Sequence, residues 1–140
     1  MKTLDEIINN ENYERLNGAL VERSVELAEK IRGAMRSAEI TELGEYSIRT
    51  VSSNSGFSDT SLYIEVDVES NLEGETEYRC LETYESHYLM NDFNCRIKAA
   101  KGKDRIKFLN DAKYIVNEIE TIKQKRMKEV ENALNAVDGL

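Results

Sequence analysis

The chain alternates apolar and polar side chains along Leu62-Tyr63-Ile64-Glu65-Val66-Asp67-Val68-Glu69. A period of two residues is typical of a β-strand, because successive side chains point to opposite faces of the sheet. The apolar members are expected to face a core, while Tyr63 and the three acidic residues line the solvent side. This stretch therefore predicts a half-buried antiparallel sheet in the middle of the chain.

Weaker signals on either side of this stretch predict further strands. Alternation over 46–51 indicates a preceding strand, joined to the first stretch by a polar loop at 52–61. A third strand is expected over about 76–84 and a fourth over about 93–97. Turns between consecutive strands favour antiparallel neighbours, so the pattern predicts a meander of three to four strands.

Helical patterns flank the strands. Thr3 and Glu6 form a capping-box pattern for a short first helix. A 3.6-residue apolar period then predicts a longer helix from Tyr13 to about residue 38. The same period continues over 102–138, with Asp104 as the cap, and gives a helix of roughly 50 Å. Since this exceeds the width of a domain of this size, one end is expected to project or to find a partner.

These patterns predict an α+β fold, an antiparallel meander of three to four strands flanked by long N- and C-terminal amphipathic helices. We expect a single domain over 1–140, with a helical part at 1–38, a strand-rich acidic part at 39–98 and a long helix at 102–138. Dimerisation through the long helices is expected. The sequence lacks a membrane-spanning or signal-peptide pattern, and its two cysteines suit a reducing compartment, so a cytoplasmic location is predicted.

Charge is distributed unevenly along the sequence. Residues 39–91 contain twelve acidic and two basic side chains. Such an excess suits docking on a basic groove or imitation of nucleic-acid phosphates, although a solvated outer sheet face is the alternative. Its sign argues against direct binding of nucleic acid. The predicted partner-binding residues are Glu65, Asp67, Glu69, Glu73, Glu75 and Glu77.

A basic cluster follows, with six Lys or Arg residues within 96–107. One interpretation is that these residues pair with the acidic sheet, within a protomer or across a dimer. Another is an anion or nucleotide site, because guanidinium groups bind phosphate and neighbouring tyrosines can line a pocket. The predicted anion-binding residues are Arg79, Arg96, Lys103 and Arg105, beside Tyr78, Tyr84 and Tyr88.

No catalytic or cofactor motif is present in the sequence. His87 is the only histidine, which excludes metal motifs built on a histidine pair. Its spacing from Cys80 and Cys95 matches no compact zinc site, and the two cysteines are interpreted as buried thiols. A Cys–His catalytic pair lacks a flanking nucleophile motif. We therefore predict no catalytic residue, no metal and no cofactor.

The leading functional hypothesis is a small acidic protein-binding or inhibitory protein that occupies the surface of a basic, nucleic-acid-handling partner. In size and charge the chain resembles compact acidic inhibitors of host defence made by phages and mobile elements, with no shared motif. One alternative is a small-molecule or nucleotide-binding domain, or an enzyme, built on the Tyr and Arg positions. Another is a structural subunit that assembles.

Overall fold

The computed structural model describes residues 2–52, 58–67, 76–84 and 95–140. The predicted α+β class is confirmed, since a sheet of five described strands is flanked by N-terminal and C-terminal helices. The elements are α1 (Leu4–Ile8), α2 (Glu11–Ser37), β1 (Glu42–Leu43), β2 (Tyr46–Ser52), β3 (Ser58–Val66), β4 (Thr76–Cys80), β5 (Cys95–Ala99) and α3 (Gly102–Asp138).

The strands lie in the order β1-β2-β3-β4-β5. Neighbours from β1 to β4 are antiparallel, as the meander predicts, but β5 runs parallel to β4 with Glu77 opposite Arg96. The antiparallel prediction therefore fails for this last pair. A parallel neighbour needs a connection of a dozen or more residues, and residues 81–94 supply that length. β3 also begins at Ser58, within the segment predicted as a loop.

One face of the sheet packs on the helices. α2 buries residues at three- and four-residue spacing, which places them on one side of the helix. The ring of Tyr46 on β2 lies 5.6 Å from that of Phe108 on α3, with the planes inclined by 55°. The core includes Ala28, Ile31, Met35, Tyr46, Leu62, Ile64, Leu81, Phe108, Ile115 and Ile119.

The other face of the sheet carries a second, smaller buried cluster. Tyr63 is only 1% exposed and lies beside Val51, Tyr78 and Cys80. The guanidinium of Arg49 lies 3.7 Å from the centre of the Tyr78 ring. The prediction that Tyr63 shares a solvated face with the acidic residues is therefore wrong, because cross-strand packing buries both faces of β3 at this point.

α2 and α3 run in the same direction and are staggered along their length. Near their starts Asn17 lies beside Gly102, and Arg105 donates a hydrogen bond to Ser24. At the other end Arg126 lies 3.5 Å from Glu39, just past the end of α2. α2 thus begins before the start of α3. α3 continues for about twelve residues beyond the end of α2, roughly 18 Å.

Candidate protein-binding surfaces

The acidic residues predicted to form one surface occupy different environments. Glu65 and Asp67 are exposed near the end of β3. Glu77 is 4% exposed, and its pairing with Val66 places it on the sheet face that packs against the helices. Glu77 therefore does not belong to an exposed acidic surface. Glu69, Glu73 and Glu75 lie outside the described residues.

Glu77 instead joins a buried ionic cluster. Arg79 Nε lies 3.0 Å from Glu77 Oε1, and Arg79 Nη1 lies 2.8 Å from Asp104 Oδ2. Asp104 also accepts a hydrogen bond from the backbone N–H of Lys101, which caps the start of α3. Burial alone lowers the pKa of the Arg79 guanidinium, but its hydrogen bonds to Asp104 and Glu77 outweigh burial and raise that pKa. This cluster joins β4 to α3.

Arg105, another predicted anion-binding residue, is 2% exposed. Its Nη1 donates to Ser24 Oγ at 2.7 Å and to the carbonyl oxygen of Leu81 at 3.0 Å, and its Nη2 donates to the carbonyl oxygen of Thr83. Burial lowers the pKa of this guanidinium. Arg105 therefore fastens α2 and the segment after β4 to α3, which is a structural role.

The predicted anion site is not assembled by the residues that can be placed. Arg79 and Arg105 are buried and already bonded to protein oxygens. Lys103 is exposed at the start of α3. The side chain of Arg96 lies outside the described part of the structure, as does Tyr88. The nucleotide-binding alternative accordingly loses the support of two of its four basic residues.

Tyr46 and Asp111 form a further polar contact between the sheet and α3. The hydroxyl of Tyr46 donates to Asp111 Oδ2 at 2.6 Å, and Lys107 Nζ lies 2.7 Å from the same oxygen while also pairing with Glu45. The hydrogen bonds from Lys107 and Tyr46 lower the pKa of the Asp111 carboxyl. Burial, followed by the bond to Asp111, raises the pKa of the Tyr46 hydroxyl.

Cys80 is buried on β4, in agreement with its interpretation as a structural thiol. Burial raises the pKa of this thiol, which disfavours the reactive thiolate. His87 and the side chain of Cys95 lie outside the described residues, so the absence of a Cys–His catalytic pair stays a prediction. Within the described ranges, no three His, Cys, Asp or Glu side chains lie close enough together to hold a metal ion.

The C-terminal turns of α3 expose a row of apolar side chains. We call residues 127–138 the α3 tail. Met127, Val130, Leu134 and Val137 are separated by three, four and three residues, which places them along one side of the helix. Each is more than half exposed. Beside them, a groove of about 370 Å³ is lined by Ser37, Ala38, Lys123, Arg126, Met127, Val130 and Glu131.

A second exposed apolar row lies at the opposite end of the helices. We call residues 2–16 the N-terminal head. Thr3 Oγ1 accepts the N–H of Glu6 at the start of α1, and Asn10 Oδ1 accepts the N–H groups of Asn12 and Tyr13 at the start of α2. These caps fix where the two helices begin, but the apolar side chains of the head stay exposed. The exposed apolar residues of the head are Leu4, Ile7, Ile8, Tyr13 and Leu16.

The sequence predicted that one end of α3 would project or find a partner, but no residue of the α3 tail or of the N-terminal head was predicted as a site residue. In the sequence their apolar residues continue the periods of the two helices and are indistinguishable from core positions. The signal that distinguishes them is length, because α3 extends further than the sheet and α2 can cover. The structure therefore adds the ends of the helices to the exposed carboxylates Glu65 and Asp67 as candidate surfaces.

Comparison with known proteins gives no match, whether against family models, curated proteins or solved structures. Within the described residues, no helix combines the length and the apolar composition that crossing a bilayer requires.

Proposed function

We propose that this chain is a protein-binding domain that occupies a partner's surface with the apolar row of the α3 tail. The observation that carries this proposal is the exposure of Met127, Val130, Leu134 and Val137 along one side of a helix that projects past the end of α2. Contiguous exposed apolar patches on a soluble domain mark sites of interaction.

The energetics of burial favour such a role. Complete burial of a Val, Leu or Met side chain contributes about 1.5–3 kcal/mol relative to exposure. A partner that covers the row gains part of this for each of four residues. Helical rows of this kind bind in apolar grooves or against other helices, with anchors at three- and four-residue spacing. The groove beside Ser37 and Ala38 extends the contact onto the end of α2.

The acidic residues contribute a second, electrostatic element to the proposal. Glu65 and Asp67 are exposed, and carboxylates on a surface speed association with a basic partner more than they strengthen the final complex. The narrower hypothesis, that the chain is an inhibitor of a nucleic-acid-handling defence protein, rests on this charge alone and stays a prediction. Reversal of these two charges to Lys is the variant that tests it.

Site-specific photo-crosslinking tests the protein-binding proposal. A benzoylphenylalanine residue is introduced at Val130 of the full chain in the native host, and the matched control carries it at Asn132, which faces the other side of the same helix. We expect a crosslinked protein adduct when the probe is at position 130 and none when it is at position 132. Equal labelling at both positions, or no adduct at position 130, would contradict a binding role for the row.

A further inference from the structure

We infer that the surface covering the α3 tail is the N-terminal head of a second copy of this chain, so that copies associate head to tail. The inference rests on the proposed function and names the partner at the same surface. It is carried by three features of the described residues, which are the stagger of two parallel helices, the apolar rows that the stagger uncovers, and the opposite charges of the head and of the segment 123–128 that leads into the tail.

The stagger makes the two ends complementary in shape. Within one protomer, the apolar side of α2 packs on α3 from the region of Asn17 to that of Glu39. The head prolongs α2 beyond the start of α3 with Tyr13 and Leu16 uncovered, and the tail prolongs α3 beyond the end of α2. When a second copy is placed along the helix axis, the start of its α2 lies beside the end of α3 in the first copy. The packing inside the protomer then continues between protomers.

The uncovered part of α2 is shorter than the α3 tail, and α1 adds a second helical segment to the head. The part of α2 before Asn17 spans about 10 Å at 1.5 Å per residue, and α1 precedes it. The α3 tail spans roughly 17 Å by the same measure. Together, α1 and the start of α2 present five large exposed apolar residues to the four of the α3 tail and to the groove beside Ala38.

Charge favours contact between the head and the basic segment that leads into the α3 tail. The head carries four carboxylates, Asp5, Glu6, Glu11 and Glu14, against two cations, a net charge of −2. The segment 123–128, which leads into the tail, carries four cations and no carboxylate, and two of these cations, Lys123 and Arg126, line the groove. The tail itself, residues 127–138, carries one cation and three carboxylates, so the basic charge lies at its start. Attraction between the acidic head and this basic segment aligns the copies. Contact between two heads would instead oppose like charges.

A contact between two tails would cover fewer of the exposed apolar residues than a head-to-tail contact. The apolar row from Met127 to Val137 spans fewer than two heptads, whereas coiled coils are sustained by three to four heptads or more. Such a contact also leaves the exposed apolar residues of the head uncovered. Head-to-tail association uses both rows. Because it joins unlike surfaces, it produces a closed ring or an extending chain of copies.

Sedimentation velocity on purified full-length chains tests the inference. The tail variant is Val130→Asp with Leu134→Asp, and its matched control, Asn132→Asp with Asn135→Asp, adds the same charge on the other side of α3. The head variant is Tyr13→Asp with Leu16→Asp, and its control, Arg15→Asp, changes the net charge equally. Helix content by circular dichroism verifies folding. If a double variant unfolds, the single variant Leu16→Gln replaces the head variant and Val130→Gln replaces the tail variant.

We expect the wild type and both controls to reach at least twice the protomer mass as concentration rises, while each variant stays monomeric. An equimolar mixture of the head and tail variants has one intact head and one intact tail, so it should form a dimer at twice the protomer mass. A head variant that associates like the wild type, or a mixture that stays monomeric, would overturn the head-to-tail inference.

The outcome also separates this inference from the proposed function. A wild type that remains monomeric at sub-millimolar concentration, together with an adduct to a different protein from position 130, overturns the head-to-tail contact and leaves the protein-binding role standing. Absence of both association and any adduct removes both proposals. An adduct between two copies of the chain, with position 130 joined to residues 2–16, supports both.

Discussion

Arg79 joins two carboxylates that the fold places out of water, Glu77 on the same strand and Asp104 on α3. Replacement of Arg79 by Met should lower the free energy of unfolding by roughly 3–5 kcal/mol, because it leaves both buried carboxylates without their cation. Lys98 lies 3.6 Å from Glu77 but is half exposed, so Lys98→Ala should cost at most about 1 kcal/mol. Urea unfolding measures both values. A similarly small loss in both variants would show that the cluster does not hold β4 to α3.

Asp111 should make the stability of the fold sensitive to acid. Its hydrogen bonds from Lys107 and Tyr46 lower the pKa of the folded carboxyl below that of the unfolded chain, which is about 3.9. The folded state therefore gains stability from Asp111 above that unfolded value and loses it as the pH falls through the lower, folded pKa.

The corresponding prediction concerns the Asp111→Asn variant. Between neutral pH and about pH 2, the wild type should lose more stability than this variant, as measured by urea unfolding at each pH. Tyr46→Phe removes one of the two hydrogen bonds that lower the pKa and should reduce the loss only in part. Identical acid slopes for the wild type and Asp111→Asn would contradict the effect of the contact.

At the scale of residues, the sequence misassigned Glu77, Arg79 and Arg105 for an identifiable reason. In 76–80 the polar members alternate with Tyr78 and Cys80, which predicts that Glu77 and Arg79 face solvent. Both faces of the sheet are buried in this region, so the phase of the alternation does not show which face meets the helices. The partners of Arg79 and Arg105 come from residues distant in sequence, and no local pattern contains them.

At the scale of elements, the helices were predictable because period and capping agree. Thr3 caps α1 as predicted, whereas Asp104 lies at the third position of α3 and accepts the N–H of the N-cap residue, Lys101. β2 was also predicted closely, since its period of two is clear. β1, with two residues, is too short to show any period. Alternation of apolar and polar residues predicts that β5 is a strand but not which way it runs. Its parallel direction depends on the connection at 81–94.

The length of α3 was predictable, but the position of its uncovered row was not. Core residues recur up to Ile122, and the next apolar residue, Met127, follows five positions later across the basic run. Each residue advances by about 100° around a helix, so Val130 and Val137 return to within about 60° of the line of Ile115 and Ile119. The row is exposed because α3 extends further than α2 and the sheet can cover. The sequence shows the apolar period but not where its cover ends.

At the scale of the whole molecule, the two helices organise the chain into unlike ends. An acidic apolar head and an apolar tail that begins at the basic segment 123–128 lie at opposite ends of parallel helices, and the sheet packs against the region between them. The acidic excess of 39–91 first indicated a partner surface. Part of that excess is internal, since Glu77 pairs with Arg79. Other carboxylates of this stretch, including Glu42, Asp59, Glu65 and Asp67, are exposed and can contribute to a second contact.

Hydrogen exchange measured by mass spectrometry as a function of protein concentration tests the central claim most directly. In dilute solution the amides of residues 4–16 and 127–138 should exchange faster than those of 108–122, because neither end packs on a core. As concentration rises, protection should increase in both end segments together and stay constant in the middle of α3. Exchange that does not change with concentration, or a change confined to the tail, would contradict head-to-tail association.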